Sequence, residues 1–485
     1  MQYKILFIIM NFKLFKIIYF DLDKEYCRER MMLCILAGII LVLSSLVPGQ
    51  EADGVLNAAA GGPDCQAFAS PGQLMDVSET QITDKERILI NLLACLKIKK
   101  SMDINRFYFK VRYSKENSKL MERTGLMLAA EAGLSNIAKD FLYLQPDVSI
   151  RDVYGYSAAI LAGKNGNVDI LNILLEAGVD KNDENNSKET VLLEAAKNGH
   201  SHVVASLLQR HADTNVQTTG GWTALIEAAR AGYETIVNAL LKHGANPNLQ
   251  TVSGWTALKY AAEGGYVSIA ISLLKHGANP NLQTLGGWTA LMTAINNNYP
   301  DFVNSLIKGG ANINIGNNAG NTALIFAAAK GHISIVSQLL KSDVDVNHQN
   351  INNDTALNGA AEHEGHNKIK IVIMLVSRGA DINHEGYKGK SPLVMAAEME
   401  QEKIVSYLLH KNANVNQQDK FGQTALMYAA DKGNIKIVSM LLRDNADINI
   451  KNINGEKAGD IALSMGHKDV VDLLIKRYKE SKRKH

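Results

Sequence analysis

The sequence predicts an all-α solenoid, and three observations predict it. Thr190, Thr223, Thr256, Thr289, Thr322 and Thr355 fall thirty-three residues apart. Each opens a small-apolar run, usually with paired alanines, that leads to an aliphatic stretch of I/V-V-x-x-L-L type and then to a G-A-N/D-x-N type of turn. The register continues outward through Ser157 and Thr124 on one side and Ser391, Thr424 and a degenerate Lys457 on the other, which makes eleven units. Self-similarity at such a period belongs to stacked supersecondary units, each burying its apolar side against its neighbours, and not to a closed globule.

Gly221 to Asn248 shows one whole unit. Thr223 is placed as a helix N-cap, its hydroxyl accepting from a backbone N–H of the first turn that has no partner within the helix. Leu225, Ala228 and Ala229 form a narrow apolar stripe at helical spacing, and the two alanines let a neighbouring helix come close. Gly232 ends this short helix where a positive φ is required. Ile236, Val237, Leu240 and Leu241 share one face of a second helix, which Gly244 stops. Asn246 to Gln250 crosses to the next unit as a turn-forming segment.

These residues, T-A-L-x-x-A-A-x-x-G and L-L-x-x-G-A-N/D-x-N, closely resemble the ankyrin repeat over about Met121 to Leu474. The resemblance implies an ankyrin-repeat α-solenoid with short β-hairpin fingers and a concave groove where partners are engaged. The family pattern T-P-L-H is T-A-L-x in nearly every unit here; only Ser391-Pro392-Leu393 keeps the proline, and the histidine is absent throughout. Less stability per unit is expected, because the first turn is less constrained and a side-chain hydrogen bond is lost. One interval, Thr355 to Ser391, is thirty-six residues. The three extra residues fall within His363 to Lys370, where the turn between helices belongs, so they should bulge there without breaking the stack.

Residues 1–120 have no repeat. Tyr3 to Phe20 is apolar apart from Lys13 and Lys16, and Met31 to Val47 is a run of seventeen residues without a charge, preceded by Arg28 and Arg30 and ended by Pro48-Gly49. Residues 1–50 are therefore expected to be a signal sequence or membrane anchor, with membrane contact through 31–47 and an exported location, whether periplasmic, secreted or membrane-anchored. A start at Met31 or Met32, a buried helix and a cytoplasmic location are the alternatives. Residues 51–82, rich in Ala, Gly and Pro to Gly72, form a linker. Residues 83–120 form a helical capping region, with Ile88, Leu89, Leu92, Leu93 and Leu96 on one face and Phe107 to Tyr113 as an extended stretch or partial opening unit. The array occupies 121–474 and a basic tail 475–485. Cys65 and Cys95 are the cysteines left outside the leader and the array; they permit one disulfide, and two free thiols fit as well.

The array is mildly acidic, with 29 basic against 35 acidic side chains from Met121 to Ile475, whereas Lys476 to His485 holds six Lys or Arg and one Glu. That tail is expected to be the polar face of a terminal cap. No basic patch continues into the repeats, so no nucleic-acid partner is expected.

The sharpest feature is a ladder of aromatics. The residue before the cap is Tyr156, Glu189, Trp222, Trp255, Trp288 and Asn321 in successive units, so all three tryptophans of the protein share one repeat position. By the resemblance this position lies on the finger beside the groove, and stacked units would space the indoles by about a helix diameter, ~10 Å. Five acidic and five basic residues between Asp213 and Gly320 leave the surroundings neutral, which favours a partner with apolar or stacking surface. Arg230, Glu263 and Asn296, at the ends of the first helices, are the other groove candidates. Flat packing of each ring on the neighbouring finger explains the same pattern.

No catalytic constellation emerges. Gly386 to Ser391 imitates the tail of a phosphate-binding loop but lacks its first glycine and a preceding strand, and Ser391 serves better as a cap. His200, His332 and His467 follow turn glycines, and His363 with His366 lacks further ligands, so no metal, cofactor or small-molecule substrate is expected. Asn185-Asn186-Ser187 and Asn353-Asp354-Thr355 match the glycan acceptor pattern. The expected function is a non-enzymatic scaffold that holds a protein partner in its groove. A targeting arm for a secreted effector or enzyme regulator, and a structural spacer, are the alternatives.

Overall fold

A computed structural model of the chain describes residues 75–76, 86–93, 108–112, 120–362, 365 and 367–483. The leader, most of the linker, Cys65, Cys95, His363 and His366 lie outside the described residues. The chain divides into two compact units, Met1–Val153 and Tyr154–His485.

In the first unit residues 86–93 are helical and bury Leu89, Leu92 and Leu93, as the apolar spacing predicts. Three strands form a sheet in the order β1 (Met75–Asp76), β2 (Tyr108–Arg112), β3 (Leu120–Thr124). β1 runs parallel to β2, and β2 pairs antiparallel with β3 through Lys110 opposite Glu122. The array keeps the all-α class expected, and the extended stretch expected at Phe107 to Tyr113 is β2 of this small sheet. β3 leads directly into the first repeat, where Thr124 caps the helix Gly125–Ala132 and a second helix, Ser135–Tyr143, folds back. Gly125 lets the Phe141 ring press on that first helix; a Cβ there would stand 2.5 Å from Phe141 Cζ.

The second unit repeats this hairpin of two short helices from Ala158–Lys164 to Lys468–Arg483. Its core runs between consecutive copies: Leu225, Ala228, Ala229, Ile236, Val237 and Leu240 are almost wholly buried, as are their counterparts in the units on either side. Caps form where the threonine period places them. Thr223 Oγ1 accepts from Ile226 N at 3.1 Å, and Ser157, Thr190, Thr256, Thr289, Ser391 and Thr424 do the same in their units. Thr322 is the exception, its hydroxyl buried without a hydrogen-bond partner. Lys457 cannot accept, and Asp460 caps in reverse by accepting from Lys457 N at 2.9 Å. Gly232 ends its helix at φ 78°.

Side chains tie each unit to the next. Asn248 Oδ1 accepts from Asn279 N at 2.7 Å, and Asn215, Asn281, Asn314 and Asn347 make the same bond one unit on, so the last Asn of G-A-N/D-x-N is a bridge as well as a turn former. In several units the residue after the turn glycine reaches back: His200 Nε2 lies 2.9 Å from Lys164 O, His467 Nε2 lies 2.9 Å from Asp431 O, and the Tyr266 ring covers Gly232, whereas His332 Nε2 is buried without a hydrogen-bond partner. At the irregular interval the helices Ala356–Glu362 and Lys368–Ser377 remain stacked on their neighbours. The ammonium of Lys368, 3% exposed, donates to Ala328 O at 2.9 Å and to Ala329 O, closing the end of the previous unit's first helix.

The fingers are hydrogen-bonded turns and not the short β-hairpins expected; among the described residues of this unit the one bridge is Glu184 with Thr190. The reason is local. Thr218 Oγ1 takes the Trp222 N–H at 3.1 Å, Thr251 Oγ1 takes that of Trp255 and Thr284 Oγ1 that of Trp288, so donors a ladder would use are already engaged. Each finger bonds sideways instead, with Val252 N on Gly220 O at 3.0 Å and Leu285 N on Ser253 O at 3.2 Å.

Among the described residues no helix is long and apolar enough to cross a membrane. Asn185 is 6% exposed with both ends of its amide hydrogen-bonded, so the first glycan motif is not an accessible acceptor.

Candidate functional site

The three tryptophans stand half-buried at the bases of consecutive fingers, each just before a cap, but the space between successive rings is filled differently. Tyr260 enters the interval between Trp222 and Trp255, its ring 5.1 Å from the first indole and 4.7 Å from the second. That interval is closed by aromatic packing. In the next one no ring enters. Lys259 Nζ sits 4.5 Å from the centre of the Trp255 ring and 5.7 Å from that of Trp288, and its ammonium donates to Thr293 Oγ1. Beyond Trp288 the ladder closes again on Phe326, at 4.8 Å.

The open interval is a cavity of about 350 Å³. Trp255 and Trp288 wall it, Lys259, Thr284 and Thr293 line it from finger and helix, and Glu263, Asn296 and Asn297 complete the lining. Two adjacent units build it together, each giving a finger and a first helix. Lys259 is 4% exposed, and burial pushes its ammonium down to about 8, with Glu263 opposing the shift. Among the described residues no carboxylate lies within ion-pairing distance of it. The nearby Glu227 is already paired to Arg230, at 2.7 Å.

Four of the seven residues expected to contact a partner therefore border one opening: Trp255, Trp288, Glu263 and Asn296. Trp222 and Arg230 stand one unit away, the guanidinium 5.5 Å over the indole and held by Glu227. Tyr156 is not on the surface. It is 5% exposed, its hydroxyl 3.2 Å from Glu194 Oε1, and its ring supports the amine of Lys164 at 4.8 Å. Burial raises the Glu194 carboxyl above its ordinary value, against the pull of Lys164 and Lys197.

Lys259, Tyr260 and Thr293 decide the site, and expectations built on the finger position alone passed over them. A signal for Lys259 was available. The third residue after the cap is Leu193, Ile226, Met292 and Ile325 in the units around it, all buried, so a lysine there breaks an apolar position.

A family model described as ankyrin repeats, three copies at a time, matches the chain in overlapping stretches at residues 93–185, 126–218, 192–284, 273–350, 291–386, 343–419 and 393–484. No curated protein matches it.

Proposed function

Because the chain belongs to the ankyrin-repeat family, whose repeats serve as scaffolds for protein–protein interaction, we propose that it holds one protein partner across the fingers and first helices of the Trp222, Trp255 and Trp288 units, without catalysis. The observation that carries this reading is the opening between Trp255 and Trp288, a gap in an otherwise closed aromatic ladder. Two half-buried indoles over a polar floor suit a protein side chain, and large aromatic rings dominate the energetics of such contacts. Finger-to-finger hydrogen bonds fix the rings in advance, so little conformational freedom is lost on binding. Trp255, Trp288, Glu263 and Asn296 are the contacts, with Trp222 and Arg230 at the flank; Tyr156 acts from within as support. In this reading residues 1–50 deliver the array to the cell envelope or beyond.

Proximity labelling with the full chain identifies the partner, and capture of that partner by wild type and by a Trp255→Ala, Trp288→Ala double variant tests the site. Loss of capture with unchanged helical circular dichroism supports it; retained capture removes it. Fractionation of cells carrying the chain with and without residues 1–50 tests export, and equal cytosolic recovery of both removes that part.

A further inference from the structure

We propose that the cavity between Trp255 and Trp288 receives one carboxylate side chain of the partner, an Asp or Glu whose oxygens accept hydrogen bonds from Lys259 Nζ while its methylene stem lies between the two indoles. This rests on the reading of the groove as a protein-binding face and names the chemistry it recognises.

Among the described residues the Lys259 ammonium has no carboxylate within ion-pairing distance. An ammonium carries three donors, and the acceptor seen for Lys259 is the Thr293 hydroxyl. Two indole faces offset part of its lost hydration. Neither supplies a counter-charge; the Glu263 carboxylate acts on the ammonium only from beyond ion-pairing distance, and burial still outweighs it, so a buried cation in this state is unfavourable unless something completes the site. Among the described residues the buried Arg123 meets a carboxylate, Asp152, at 3.2 Å, and the buried Lys368 donates to two backbone carbonyls that end a helix, whereas the acceptor seen for Lys259 is one hydroxyl. Lys259 also occupies a position that the two units on either side fill with an aliphatic side chain or methionine, Leu193, Ile226, Met292 and Ile325; where another polar residue is buried there, Asn358, its amide is hydrogen-bonded within the fold.

The occupant's charge and size follow from the lining. Glu263 on the wall already offsets part of the ammonium's charge and repels an incoming anion in proportion to that anion's charge, which favours a single carboxylate in contact with Lys259 over a phosphate dianion. A cavity of about 350 Å³ has room for a single side chain and ordered water, not for a helix. The amides of Asn296 and Asn297 in the lining offer donors and acceptors to the backbone that carries that side chain. A carboxylate arriving here would lift the Lys259 ammonium back above the value to which burial has pushed it, about 8, and that recovery is what makes the site selective for an acid over its amide.

The test uses the intrinsic fluorescence of the full chain and two probes of equal shape, N-acetylglutamate N-methylamide and N-acetylglutamine N-methylamide. Wild type is expected to respond saturably to the acid, with an affinity for it about tenfold or more above that for the amide. Lys259→Met, which installs the residue type of Met292, is expected to fold and to lose the preference. Equal affinities in wild type, no response to either probe, or a preference retained in Lys259→Met would each overturn the carboxylate assignment. Partner capture separates this from the broader reading. If Lys259→Met keeps full capture while the Trp255→Ala, Trp288→Ala variant loses it, the groove stands and the carboxylate falls; if both keep it, both readings fall.

Discussion

Two intervals of one aromatic ladder, thirty-three residues apart, have opposite characters. Between Trp222 and Trp255 a tyrosine packs against both rings and fills the space between them; between Trp255 and Trp288 a buried lysine holds the place and a cavity remains. The flanking tryptophans are equivalent in sequence. The difference lies in the residues three and four places after the cap, which are Lys259 and Tyr260 in one unit and Met292 and Thr293 in the next. A repeat position therefore does not carry a role by itself. Tyr260 turns towards the preceding gap and fills it, whereas Thr293 at the equivalent place is too small to fill the following one.

Removing the charge that marks the open interval is expected to have the largest effect. Lys259 is pushed down from an ordinary 10.5 to about 8 in the folded chain, so between those values the unfolded chain binds more protons and stability rises with pH. The full gain is on the order of 3 kcal/mol. Lys259→Met should remove this rise and raise stability near neutral pH by a similar amount, measured by denaturant unfolding at pH 7 and pH 10.5. Lys368, also pushed down to about 8, contributes its own share in both proteins, so the difference between them isolates Lys259.

Breaking the open interval's walls should act on binding. The Trp255→Ala, Trp288→Ala variant is expected to lose about 2 kcal/mol or more of partner affinity, roughly thirtyfold, in a capture titration. Tyr260→Thr attacks the closed interval by imitating Thr293. It should lower stability by about 2 kcal/mol, because a ring packed against two others is lost and a void is left, with a smaller effect on capture. The smallest contrast lies beneath the rungs. Thr289→Ala should cost about 1 kcal/mol through its lost cap, read as a shift in the unfolding midpoint. Thr322→Ala should be close to neutral, since that hydroxyl caps nothing and is buried without a partner.

Much of the fold was legible because it is local. Thr223, Gly232 and the Ala228-Ala229 pair act within a turn or two of themselves, and a period of thirty-three copies those short-range instructions faithfully. The expected bulge near His363 falls largely outside the described residues, but the helices on either side of it keep their neighbours. The fingers were less legible. Their turn glycines and Thr218, Thr251 and Thr284 are visible in the sequence, but whether their backbone groups meet a sister strand or the next finger depends on the distance between units. The extended stretch that became β2 was legible, but its pairing with β1 was not, because the two meet across some thirty intervening residues and pairing at that range leaves little trace in local pattern. The candidate site was half legible: the tryptophan rungs stood out, yet Tyr156 at the same repeat position proved to be interior.

By itself the sequence determined the identity of the building block, its number of copies and the side each copy buries, because caps, alanine stripes and turn glycines work over a few residues and need no distant partner. Only tertiary structure decided which gap between the tryptophans is filled and which is open, whether an aromatic rung faces out or in, and that Lys259 is buried without a carboxylate. Those outcomes depend on side chains from two different units competing for one volume, and a competition of that kind is settled by stacking distance and ring size.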